Sequence, residues 1–318
     1  MLRRFAYNKI FRTTGMLLLF ILLLLFPSSR KYSLEDGITM QTSKELKKQE
    51  VFLIDKDGYV ARTKISLNYN DSEDYAKKLI ELLIIGGKYE NKIPNGFRVL
   101  LPTDLKVNSV SIVGDSISID LSNTFYEIDK KNEEKALELI TYNLTSIDGI
   151  KKVYIKVDGQ EFKTFKSSLK NVTQPFTKNG GVNKIYNVDN YKNTKSVTIY
   201  YINKNNNNYH YVPVTKITND SREKIKIIID ELTSSHIYET NLMSFLNYNT
   251  KLLSYELKDN ILTLNFNSYL FDDESSNNIL EEVIYSISLS VRDNYDVKEV
   301  VFNVEGNEIT KSVIKNIE

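Results

Sequence analysis

The chain has 318 residues, with a net charge of +1, 41% hydrophobic and 26% charged residues, the composition of a folded protein of two or three domains. It has no cysteine and only two histidines, His210 and His236, which excludes disulfides, thiolate metal sites, a cysteine nucleophile and a lipid-bearing cysteine, and nearly excludes histidine metal centres. Arg3, Arg4, Lys9 and Arg12 precede any acid, and without these four the net charge of the remaining residues falls to −3. The body of the chain therefore lacks the basic excess of a nucleic-acid binder.

Residues 13–29, "TTGMLLLFILLLLFPSS", carry no charge and form a short membrane span. With four cations before it, the positive-inside rule places residues 1–12 in the cytoplasm and everything after Ser29 outside. A cleaved secretory signal is the alternative, although the segment ends without a strong small-residue cleavage pattern. Residues 30–49 read as a polar stalk.

Beyond the stalk the chain repeats itself. "EVFLIDKDGYV" (50–60) and "SVTIYYINKNN" (196–206) are strand-like runs that enter polar turns. "NDSEDYAKKLIELL" (70–83) and "NDSREKIKIIIDEL" (219–232) both open on Asn-Asp-Ser, a helix N-cap signal. In the first of these, Tyr75, Ala76, Leu79, Ile80 and Leu83 share one helical face. "IIGGK" (84–88) reads as a helix stop with Gly86 at C′, and lacks the spacing of a phosphate loop. "DSISIDLSNTF" (115–125) and "NILTLNFNSYL" (260–270) alternate as half-buried strands. A second helix follows in each copy, with Leu137, Ile140, Leu144 and Ile147 in one and Leu280, Val283, Ile284 and Ile287 in the other at helical spacing. "VYIKVDGQEF" (153–162) and "VVFNVEGNEI" (300–309) close the copies.

The element order per copy is β-β-α-β-β-α-β, and an α+β fold follows, each copy a mixed or antiparallel sheet with two amphipathic helices. The boundaries are 50–162 and 196–312, with a linker at 163–195 that contains a possible short strand at 185–188, and a tail at 313–318.

The first copy resembles the GerM domain. The resemblance rests on "VFLIDKDGYV" with Gly58 in its turn, on "GFRVLLP" from Gly96 through Leu101 and Pro102, on "VNSV" and "IDLS", and on the closing "VDG" with Asp158 and Gly159. The second copy is degenerate: it has Leu246 and Asn247 where the first has Leu101 and Pro102, and it closes on Glu305 and Gly306. The family is named for a spore germination and sporulation protein. The resemblance implies a non-enzymatic envelope protein, similar to ring-building modules of sporulation complexes, whose partners are envelope or sporulation-complex proteins or further copies of itself. Family members are often lipoproteins; in a chain without cysteine, an anchor helix would take the place of the lipid.

No residue reads as catalytic, cofactor-binding or metal-ligating. The acid–Gly pairs Asp158-Gly159 and Glu305-Gly306 are tight-turn signals. "DKDGY" (55–59) fails as a calcium loop, because Val60 and Ser66 stand where an EF-hand needs Gly and Glu. The Ser-x-x-Lys spacings lack their companion motifs, and there is no G-x-S-x-G elbow. His210, between Tyr209 and Tyr211, reads as a partly exposed or packed strand residue, and His236 as a cation after a helix. The 21 tyrosines leave peptidoglycan binding in general envelope maintenance open as a second function, and a hydrolase as a third.

Overall fold

The computed structural model describes residues 48–190, 192–205, 208–234, 240–273 and 278–313. The expected membrane span, nearly all of the stalk, residues 314–318 and His236 lie outside the described residues.

Val51, Phe52, Leu53 and Ile54 are all fully buried, which a strand permits only when both of its faces are covered. They form β1 (Gln49–Asp55), which pairs with β2 (Val60–Ile65) in an antiparallel hairpin. Helix α1 (Ser72–Leu82) follows, then β3 (Phe97–Arg98), β4 (Val107–Val113), β5 (Ser116–Leu121), α2 (Glu133–Leu144), β6 (Lys152–Val157) and β7 (Gln160–Glu161). After the intervening β8 (Ile185–Asn187), copy two supplies β9 (Lys195–Asn205), β10 (Asn208–Thr218), α3 (Lys224–Thr233), β11 (Leu252–Lys258), β12 (Ile261–Phe266), α4 (Glu281–Asn294), β13 (Glu299–Val304) and β14 (Asn307–Val313).

The strands of each copy divide between two sheets. The later strands form a four-stranded sheet per copy, ordered β4-β5-β6-β7 and β11-β12-β13-β14. In each the middle pair, β5–β6 or β12–β13, is parallel. A parallel pair needs a crossover, and α2 and α4 supply it. The opening hairpins instead join one another: β2 meets β10 at Arg62–Tyr211, giving one six-stranded sheet that both copies share.

The helices are placed by the apolar faces read in the sequence. Tyr75, Ala76, Leu79, Ile80 and Leu83 are all buried. Asp71 caps α1, its side chain accepting from Asp74 N at 2.8 Å. The second Asn-Asp-Ser does not cap its helix. There α3 starts later, at Lys224, with Glu223 at the N-cap making no side-chain cap bond. Asp220 instead takes the Arg222 amide at 2.9 Å and the Arg222 guanidinium. Gly86 is likewise not C′: α1 ends at Leu82 with Leu83 as its cap, and Gly86 turns the chain further on at φ +65°.

Residues 163–190 are packed against both copies. Phe165 and Val182 are buried in the core of copy one, and Phe176 bridges Val153 through two backbone bonds. Strand β8 lies parallel to β10, within the segment 185–188 where the sequence suggested a strand. Ala61 of β2 belongs to the core of copy two, against which Tyr59 and Phe97 also pack.

Candidate functional site: the seam between the copies

The turn residues singled out in the sequence take up special backbone conformations and hydrogen bonds. Asp158 and Gly159 sit at φ 47° and 78°, Glu305 and Gly306 at 48° and 86°. Two successive residues at positive φ make the hairpin turn that matches strand twist. Gly159 N donates to Asp120 Oδ1 at 2.9 Å, and Gly306 N donates to Asn265 Oδ1 at 2.8 Å. A carboxylate therefore lies beneath the first turn, but a neutral amide does the same work beneath the second. The position requires an acceptor rather than an acid.

Gly58, at φ +88°, closes the β1–β2 turn. Leu101 is fully buried, and its amide donates to Leu83 O at 2.9 Å, tying the turn to the end of α1. Pro102 O accepts from Leu105 N at 3.2 Å, and Asn247 O accepts from Thr250 N at 2.9 Å, so the degenerate copy keeps this turn with a different residue. Gly96 has a further role. It stands at φ +87°, and a Cβ there would fall 1.5 Å from Asn205 Nδ2 of copy two. Asn205 Nδ2 donates to Asn95 O at 2.9 Å, so the glycine admits a contact between the copies.

Densely bonded polar groups lie along this seam. Asp55, at the end of β1, is fully buried. Its Oδ1 accepts from the amides of Asp57 and Tyr59 at 3.0 and 2.9 Å. Its Oδ2 accepts from Asn203 Nδ2 at 2.8 Å and from His210 Nε2 at 3.0 Å, both on the β9–β10 hairpin. Burial alone would raise the carboxyl, yet these donors bring it below its ordinary value. An ionised carboxylate only accepts, so His210 Nε2 carries the hydrogen. The His210 ring packs edge-on against Phe97, 5.0 Å between centroids.

A second cluster joins Glu50, Arg62, Arg292, Asp293 and Lys178. Glu50 pairs with Arg62 across the β1–β2 hairpin and with Arg292 Nη1 of α4 at 3.1 Å. Burial works against the Glu50 carboxylate, but the two guanidiniums outweigh it and hold the group at about 2. Asp293, whose side chain is fully buried, accepts from Lys178 Nζ at 2.7 Å and from Tyr200 OH at 2.7 Å. Burial would raise this carboxyl too, and Lys178 and Arg292 lower it. One cluster thus links the first strand of copy one, the connecting segment and the last helix of copy two.

Asn183 completes the seam. Its Nδ2 donates to Val60 O and to Pro213 O, each at 2.8 Å, and its Oδ1 accepts from Val60 N at 3.0 Å. β2 and β10 share a single ladder position, and Asn183 satisfies backbone groups on both strands where their own ladder has ended.

Sequence reasoning missed these residues because their partners are far apart along the chain: 155 positions separate Asp55 from His210, and 242 separate Glu50 from Arg292. His210 is packed, one of the two settings its strand left open. Its partner Asp55 accepts from four donors and lines neither of two clefts among the described residues. One cleft, of about 670 Å³, lies in copy two between the loop carrying Met243 and Phe245 and the segment carrying Tyr269 and Phe271. The other, of about 210 Å³, lies between α2 and the connecting segment. Among the described residues no group of three or more His, Cys, Asp or Glu could hold a metal ion.

Fold and seam together define a class: tandem α+β repeats fused through a shared sheet and locked by buried ion pairs. The comparisons agree on the tandem repeat. The family profile described as "Germane: Sporulation and spore germination" matches residues 50–163 and again 198–310. The curated spore germination protein GerM of Bacillus subtilis (strain 168) is 35% identical over 264 residues, covering 81% of this chain and 71% of that one. The solved structure of the tandem GerMN domains of the sporulation protein GerM from Bacillus subtilis is 33% identical. It covers 82% of this chain and 91% of its own, with a TM-score of 0.74. The chain belongs to the Germane family of sporulation and spore germination proteins.

Proposed function

We propose that this chain is a membrane-anchored, extracytoplasmic, non-enzymatic protein that helps assemble an envelope complex during sporulation or germination. Membership of the family supports the sporulation-related role. The observation that carries the assembly reading is the seam. Its buried charges are paired with one another across the copies and their connecting segment, which suits them to fixing two modules as one body rather than to turning over a substrate. The anchor rests on residues 13–29; among the described residues no helix is long and apolar enough to cross a membrane.

The test is genetic. Cells lacking the chain are complemented with the full chain, or with a chain ending after copy one, and heat-resistant spores are counted. The proposal expects spores only with the full chain. Normal spore numbers without any copy of it would refute the role.

A further inference from the structure

The two copies treat the same outer strand differently. In copy one, β4 is an outer strand, closed on β5 by a two-residue turn that pairs Val113 with Ser116. Bonded and non-bonded pairs alternate along an antiparallel ladder, so Ile112 and Val110 turn their N–H and C=O away from β5. Helix α1 seals that edge: Glu73 Oε1 accepts from Ile112 N at 3.1 Å, and Val110 and Ile112 pack on the core.

In copy two, Lys258 pairs with Ile261 in the same way, which puts Leu257 and Tyr255 in the places of Ile112 and Val110. Arg222 stands where copy one has Glu73, and it pairs with Asp220 and Asp230 instead. No described residue seals Leu257 as Glu73 seals Ile112. Leu257 is 55% exposed, Leu253 50% and Tyr255 37%. Two other open edges are sealed. Asn143 holds Phe52 of β1 through both N–H and C=O. Ser290 and Asn294 hold Tyr200 and Thr198 of β9. An unsealed apolar edge is a template for another strand.

We propose that β11 docks a second copy of this chain, pairing β11 with β11 antiparallel across a two-fold axis at Glu256. Tyr255 of each copy then faces Leu257 of the other, and the outward backbone groups of both residues are used. The two Glu256 side chains face each other at the axis, a like-charge contact offset by the second copy's Lys258, which lies diagonal to each and within reach of a long side chain. Moving the axis to Leu257 would set Tyr255 against Asp259 in the turn. Moving it to Tyr255 would run Leu257 into the irregularity between Leu252 and Ser254. Such a contact is isologous, closing as a dimer. The pairing deepens the assembly reading and rests on it only for its use in the cell.

The chain has no cysteine, so one can be placed at will. Glu256→Cys is made in the full chain in cells. Ser111→Cys serves as the matched control, because Ser111 pairs with Ser118 on β5 as Glu256 pairs with Thr263 on β12. A short bismaleimide is added, and dimer is read on denaturing gels. Glu256→Cys is expected to exceed Ser111→Cys on the order of tenfold, which corresponds to about 1.4 kcal/mol of preference. Adding Leu257→Glu, which changes only an exposed side chain, removes the excess. Equal dimer from the two positions, or an adduct of Glu256→Cys to a different protein without dimer, overturns the proposal. Absence of the dimer while complex partners are still captured would overturn the pairing and leave the assembly reading standing. A dimer whose disruption leaves spore formation normal would uphold the pairing and refute its use in assembly.

Discussion

Glu50 offers the sharpest test of the seam. Its carboxyl lies at about 2 in the folded chain, against 4.5 for an ordinary glutamate, because Arg62 and Arg292 flank it. The folded value is depressed, so the stabilisation is fully present above the ordinary value and is lost as pH falls through the folded one. The lowering from 4.5 to about 2 corresponds to ~3 kcal/mol at neutral pH, of which about 2 kcal/mol is gone by pH 3. The side chain is 29% exposed, so solvent screening lowers these values somewhat. Glu50→Gln should remove this part of the acid sensitivity and lower stability at pH 7, since Arg62 and Arg292 lose their shared carboxylate. Urea unfolding of both proteins at pH 7, 5 and 3 measures it. The two stabilities should converge by about 2 kcal/mol between pH 7 and pH 3. A constant difference across that range would refute the reasoning.

Further outcomes follow from the other seam residues. Asp55→Ala strips His210, Asn203 and two amides of their acceptor and should cost about 3–5 kcal/mol, while Asp55→Asn, which keeps the shape, should cost less; denaturant titration orders the two. Asn183→Ala should cost about 2–4 kcal/mol and speed hydrogen exchange at the Val60 amide, which loses its acceptor. Gly96→Ala should destabilise by about 1–3 kcal/mol, more than Gly159→Ala, because both sites have positive φ but only Gly96 meets a neighbour; thermal unfolding separates them.

The local features of the fold were legible. Helical faces such as Tyr75 to Leu83, the alternation of residues 115–121, and the acid–Gly turns depend on neighbours within a few residues, and each lies where the pattern put it. The two Asn-Asp-Ser runs show the limit of such signals. The first caps α1, but in the second an arginine follows the serine and captures Asp220, so the helix starts three residues past that serine. The shared sheet was not legible, because hairpins that pair with each other across copies look the same in sequence as hairpins that pair within one. The connecting segment looked like a loose linker for its polarity. Three of its apolar residues, Phe165, Phe176 and Val182, fasten it to the core, and Asn183 uses its polarity to bridge two strands. Nothing local announced that Asp55 would meet His210, or Glu50 meet Arg292.

The most direct test of the assembly role is cross-linking of the anchored full chain in living cells, with mass spectrometry of what it captures, during sporulation and during vegetative growth. The account predicts capture of sporulation-complex proteins in the sporulating sample alone. Capture of wall-synthesis proteins in growing cells, with nothing specific to sporulation, would contradict it and assign the chain to general envelope maintenance.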